Sequence, residues 1–416
     1  MPVNQRATLS SGVIVSLALA VLLNYIDRGN LATAAPLVQD ELKLTSGQIG
    51  LLLSAFFWTY APGQLLAGWA VHRFSIRIVL GAGVALWAVA TFCTGWVGSF
   101  TALLALRLLL GLGESASFPA VQLLLARHTH EHKRGMLMGL ITMCQGIGPL
   151  LGTLFGAMLI AEFGWRSLFF TLGAITLLWL VPWLATTRAG RIPAYTEEAG
   201  SQVSYGAILR RREFWGVALG HFSCNYVFYF MMTWLPTFLV KSAGFTVTRM
   251  GQIGALIFGI YSLSVVSMGT LSDVWARRGA SITRVRKTLI LTSCAGAALT
   301  IACCAMVEPR NAVWFLGVAG IFFGMGTPMI FTIGATLAGP RAAGRWVGAQ
   351  NLSGQVAGII APLVTGFIVE STGTFGWAFV ISAAVPLAGM IAWGIVLRRI
   401  EPVEWRSPPA ALATPA

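Results

Sequence analysis

The stretch GVIVSLALAVLLNYIDRGNLATAAP, residues 12–36, is 25 residues long and carries only two charges, Asp27 and Arg28, both well inside it. About 20 apolar residues are enough for a helix to cross the hydrocarbon core of a bilayer. A soluble surface helix of this length would show a continuous polar face, whereas here the polarity is a single knot, Asn24 to Asn30. Ionisable groups at such a depth are costly, and they mark a functional site by default. The stretch therefore reads as a membrane span with working chemistry near mid-depth. The polarity after its apolar core also argues against a cleaved signal peptide.

The rest of the chain repeats the pattern. Of 416 residues 56% are hydrophobic and 10% charged, and the mean hydropathy is +0.76. Soluble domains average about 25% charged residues, so a soluble enzyme, a disulfide scaffold and a disordered chain are excluded. The six cysteines all fall in apolar runs and read as small core residues. Twelve spans follow: 12–36, 46–70, 77–97, 100–127, 134–161 and 165–187, then 213–240, 249–274, 286–307, 312–337, 343–370 and 374–398. The expected fold is an all-α membrane protein of two pseudo-symmetric six-helix bundles. Residues 1–187 form the first bundle, 188–212 a cytoplasmic linker, 213–398 the second bundle and 399–416 a cytoplasmic tail.

Lys and Arg exceed Asp and Glu by 28 to 14. With the N-terminus inside, 21 of the basic residues fall in inner segments and 5 in outer ones, the bias of cytoplasmic loops. The excess thus orients the chain, with both termini cytoplasmic, and implies no nucleic-acid partner. The halves echo each other: Gly68, His72 and Arg77 recur as Gly269, Asp273 and Arg278, each 201 positions later, and Pro149-Leu150 has a counterpart in Pro362-Leu363. Duplicated halves of this kind place a transporter's site between them.

Over nearly its whole length the chain resembles the major facilitator superfamily, and within it the anion:cation symporter branch. That branch includes bacterial galactonate, glucarate and hexuronate permeases, sialin and the vesicular glutamate carriers. The resemblance rests on NYIDRGNL (24–31), RLLLGLGESASFPA (107–120), NYVFYFMMTWLPTFL (225–239) and GAQNLSGQVAGIIAPLVTGFI (348–368). It implies alternating access by two rocking bundles in the cell (inner) membrane, working as a monomer. It also implies that Arg28 anchors the substrate carboxylate. One departure stands out: where the branch carries an acid in the loop after the second span, this chain has His72. The expected gating and electrostatic set is His72, Arg73, Arg77, Arg107, Asp273 and Arg277.

Only two carboxylates lie deep in spans, Asp27 and Glu114. They are the expected proton-coupling pair. Arg107, Gly111, Glu114 and Phe118 share one helical face, with glycines that admit a close neighbour. A guanidinium binds a carboxylate through two parallel bonds, which suits Arg28 to an organic anion. Asn24, Tyr25, Gln145, Asn225, Tyr229, Asn351 and Gln355 add uncharged donors and acceptors that suit hydroxyl groups. His221 reads as a core histidine. The tract Arg127-His128-Thr129-His130-Glu131-His132 reads as a solvated loop rather than a metal site.

The resulting expectation is a proton-coupled symporter importing a small organic anion, foremost a sugar acid, with no cofactor beyond the proton and no metal. No P-loop sequence is present to suggest an ATPase. The alternatives are sodium-coupled or exchange transport of a small dicarboxylate or aromatic acid, and a non-transporting membrane sensor.

Overall fold

A computed structural model describes residues 9–128, 131–188 and 203–405. Among these residues all regular structure is helical: α1 (Ser11–Glu41), α2 (Ser46–Arg73), α3 (Ile76–Thr94), α4 (Phe100–Glu114), α5 (Ser117–His128), α6 (Glu131–Phe163) and α7 (Trp165–Thr186) in the first half. A short α8 (Tyr205–Leu209) follows, then α9 (Arg212–Thr237), α10 (Val247–Arg277), α11 (Ile282–Met306), α12 (Ala312–Thr372) and α13 (Gly376–Ile391).

Ten helical stretches among the described residues are long and apolar enough to cross a membrane. Three differences from the sequence reading have local causes. The expected spans 312–337 and 343–370 join into one 61-residue α12, broken inside by Gly339 at φ 63°, with Pro340 next to it. Only glycine takes that conformation without strain, and the helix is interrupted there between two helical segments. Expected span 213–240 corresponds to α9, which is too polar to stand among the ten because it carries His221, Ser223, Asn225, Tyr226 and Tyr229. Expected span 100–127 is two helices. The Ser115 hydroxyl donates to Leu112 O at 2.7 Å, and the helix turns there, one residue after Glu114.

The tail packs back on the α12 break. Val403 N donates to Leu337 O at 2.8 Å and Trp405 Nε1 to Ala338 O at 2.8 Å, satisfying carbonyls beside Gly339. Most of the expected linker, the end of the tail, and His130 of the histidine tract lie outside the described residues.

Glycine sets how the halves meet. α2 and α12 touch where Gly50 faces Pro362 and Gly366; a β-carbon on Gly50 would stand 2.6 Å from Pro362 O. α6 and α10 touch where Gly254 faces Thr153 and Gly146 faces Ser262. At the far ends of α2 and α12, Gly68 and Gly348 have open space above them. The close glycine contacts between α2 and α12 thus lie at the end carrying the 42–45 turn.

Polar groups reinforce this end. Thr45 caps α2 in a reciprocal capping box with Gln48. The Glu370 carboxylate of α12 then accepts from Thr45 Oγ1 at 2.8 Å and from Gly47 N at 2.6 Å. It is a carboxylate from one half laid on a helix N-terminus of the other, where unpaired N–H groups and the helix dipole favour it. Asp40 and Lys241 form an ion pair beside it.

Candidate substrate and coupling site

α1 and α4 carry the buried charges. Gly111 lets α4 press on α2 at Phe56, and Gly113 brings α3 close enough that a β-carbon there would stand 2.7 Å from Trp87 N. This crowding delivers Arg28, Glu114, Asp27 and Arg107 into one buried region, each at most 5% exposed.

Asp27 and Arg28 point to different neighbours, as adjacent helical positions must. Arg28 Nε lies 3.3 Å from Glu114 Oε2, and Nη2 donates to Asn24 Oδ1 at 3.0 Å. Its guanidinium is sandwiched by rings, 4.4 Å from the centroid of Tyr60 and 4.7 Å from that of Tyr25. Glu114 Oε1 has no hydrogen-bond partner among the described residues. A buried carboxylate oxygen without a donor is a ready place for a proton, since the protonated acid neutralises the charge that burial disfavours.

Asp27 faces α3. Its Oδ2 accepts from Trp87 Nε1 at 2.8 Å and Thr91 Oγ1 at 3.4 Å, and its Oδ1 accepts from Asn30 Nδ2. Arg107 Nε donates to Leu52 O at 3.4 Å, with the guanidinium 5.5 Å from the Phe56 centroid. The structure therefore couples Glu114 to Arg28 directly and holds Asp27 behind them in its own cage.

A cavity between the halves lies beside this cluster. Tyr25 and Gln145 form its first-half wall, and Asn225, Tyr229, Asn351 and Gln355 line the second-half side. Arg28 sits behind Tyr25 and is not on the wall in this conformation. Tyr229 Oη donates to Gln355 Oε1 at 3.0 Å, Gln355 Nε2 to Asn351 Oδ1 at 3.5 Å, and Asn351 Nδ2 to Gln64 Oε1 at 3.1 Å. This chain of bonds crosses from one half to the other, and its last member, Gln64, was not among the expected residues. Neither were Tyr60, Trp87, Thr91 or cavity-lining His221. A lone glutamine or tyrosine in an apolar run carries no sequence signal separating cavity from core; Asn351 and Gln355, at i, i+4, share the helical stripe that Gln64 meets.

The expected gating residues are placed apart from this cluster. Arg77 Nη2 donates to Leu184 O at 3.4 Å, while Arg73, Asp273 and Arg277 are exposed at helix ends. The His72 side chain lies outside the described residues.

The Major Facilitator Superfamily model matches residues 17–362 and 279–415. The chain belongs to the Major Facilitator Superfamily. It is a multi-pass membrane transporter rather than an enzyme. Curated relatives within this superfamily include a probable sulfoacetate transporter of Cupriavidus necator, 29% identical with 93% of this chain and 94% of that protein covered. A probable galactarate/D-glucarate transporter of Bacillus subtilis is 27% identical over 97% of this chain and 95% of its own length. A D-galactonate transporter of Escherichia coli is 27% identical over 94% and 96%. Among solved structures, a bacterial homologue of the human lysosomal transporter Spinster aligns with a TM-score of 0.78, 19% identity and coverage of 93% and 96%. That likeness is one of fold.

Proposed function

We propose that this superfamily member is a proton-coupled symporter that imports a small organic anion, foremost a sugar acid, by alternating access. The observation that carries the reading is the buried Arg28–Glu114 pair, with Glu114 Oε1 unpartnered, beside a cavity lined by amides and phenols. A proton on Glu114 weakens its hold on Arg28 and frees the guanidinium for a substrate carboxylate. The amides and Tyr229 serve the hydroxyls. Asp27 takes a second proton within its cage of Trp87, Thr91 and Asn30. Asn24 steadies the guanidinium, and Arg107 acts electrostatically. His72, Arg73, Arg77, Asp273 and Arg277 serve gating at the helix ends. Relatives named for galactarate, glucarate and galactonate support the substrate class.

Twelve spans in two six-helix bundles, 1–187 and 213–398, joined by linker 188–212 and ending in the tail 399–416, accommodate the ten apolar stretches, the break in α12 and the polar α9. With both termini cytoplasmic in the cell (inner) membrane, the closed 42–47 end is the outer one, and the conformation faces inward. The protein acts as a monomer with the proton as coupling ion and no other cofactor.

Uptake of labelled D-galactonate into proteoliposomes under an inward proton gradient tests this reading. Gradient-dependent uptake, competed by sugar acids, is expected; binding without uptake would favour a sensor, and dependence on sodium rather than protons would overturn the coupling. The sulfoacetate relative favours a second reading, a small dianion without hydroxyls, which the same competition separates.

A further inference from the structure

His221 of α9 is buried yet forms part of the cavity wall. Its Nδ1 lies 3.1 Å from Gln350 O. A carbonyl only accepts, so Nδ1 carries the proton, and in the neutral ring Nε2 is left as an acceptor. Nε2 has no hydrogen-bond partner among the described residues, and neither has the Asn225 amide one turn further along α9. Both converge on Gly354 of α12: a β-carbon there would stand 2.8 Å from His221 Nε2 and 2.6 Å from Asn225 Nδ2. The missing side chain lets one acceptor and one donor press against the same point of backbone, side by side on the cavity wall. Phe331 holds the imidazole edge-on, with centroids 5.2 Å apart.

A hydroxyl is the group that both donates and accepts. A carboxylate or sulfonate oxygen only accepts and would meet the Nε2 lone pair without a proton between them. We propose that His221, with Asn225, reads a hydroxyl of the transported anion and selects hydroxy acids over anions bearing a second acidic group in its place. This rests on the organic-anion reading above and names a residue for substrate choice within it.

The test is calorimetric titration of the purified full-length protein with D-galactonate, with hexanoate as the carboxylate lacking hydroxyls, and with sulfoacetate. In His221→Phe, which keeps a flat ring and removes the acceptor, galactonate affinity should fall ~100-fold, since sites built around a hydroxyl discriminate strongly. Hexanoate affinity should stay within ~3-fold, the margin of a neutral change. Gly354→Ala, whose β-carbon forces His221 and Asn225 off their meeting point, should weaken galactonate at least ~10-fold and hexanoate little. It also carries the test if His221→Phe does not fold. Galactonate binding unchanged in either folded variant, or weakened equally with hexanoate, overturns the role of His221 and leaves the transport reading intact. A wild-type protein that binds sulfoacetate but no hydroxy acid overturns the sugar-acid reading and this inference with it.

Discussion

Arg28 on α1 and Glu114 on α4 meet at 3.3 Å through a single carboxylate oxygen, and the other oxygen of Glu114 faces no donor among the described residues. The asymmetry distinguishes this pair from a structural salt bridge, in which a buried carboxylate would have both oxygens satisfied. Glu114→Gln mimics the protonated acid in shape and charge. It should abolish proton-driven accumulation of substrate while leaving exchange of internal for external substrate within ~3-fold of wild type, because binding is spared and only proton release is lost. Counterflow and gradient-driven uptake, measured on the same proteoliposomes, check it; undiminished accumulation in Glu114→Gln would sink the coupling role.

Arg28 is held by Glu114, Asn24 and the faces of Tyr25 and Tyr60. Lysine keeps the charge but has neither the planar fork nor the flat surface these partners fit. Arg28→Lys is expected to weaken substrate binding by at least ~10-fold, which corresponds to about 1.4 kcal/mol. Titration of the purified variant decides it, and wild-type affinity in Arg28→Ala would show that the carboxylate is anchored elsewhere.

The closed end has a separable lock. Glu370 accepts from Thr45 Oγ1 and Gly47 N at the start of α2, contacts between halves that exist only while this end is shut. Solvent discounts both contacts: Glu370 is exposed, as are Asp40 and Lys241, and an exposed pair contributes about 0.2–1 kcal/mol. Glu370 nevertheless accepts twice, once from a partly buried backbone N–H at a helix N-terminus, so Glu370→Gln should shift the opening equilibrium of this end by ~3-fold or more, and Lys241→Ala by less. Spin labels at Lys43→Cys and Ser242→Cys, across the vestibule they line, would report a longer distance population in Glu370→Gln. An identical distance distribution in the two backgrounds would remove Glu370 from gating.

Much of the site is legible in the sequence because charge in an apolar run has few explanations. Asp27, Arg28, Arg107 and Glu114 stand out by depth alone, and adjacency tells that Asp27 and Arg28 diverge. Their partners do not stand out. Trp87 and Thr91 look like ordinary span residues until α3 is brought against α4 by Gly83 and Gly113, and tertiary packing of that kind leaves no periodic trace. His221 looked inert for the same reason, since cavity and core share one composition. The break in α12 is carried by Gly339-Pro340, which marks a span boundary but does not reveal that the helix resumes at once.

Two acids in separate environments bear on the electrical character of transport. Glu114 is bound to Arg28, while Asp27 is held by Trp87, Thr91 and Asn30, so protonating one leaves the other's hydrogen bonds in place. Arg107 does not tie up either as a fixed ion partner; its Nε donates to the Leu52 carbonyl at 3.4 Å. If both acids load a proton before a monovalent anion enters, each cycle carries a net charge of about +1 inward, and a membrane potential contributes about 2.3 kcal/mol per charge per 100 mV. Uptake at zero pH gradient should then rise when an inside-negative potential is imposed with valinomycin and potassium. In Asp27→Asn the potential should no longer stimulate uptake, since only the Glu114 proton remains to balance the anion. Wild-type uptake that ignores the potential while a pH gradient alone still drives it would mean one proton per anion, with Asp27 serving α1–α3 packing rather than coupling.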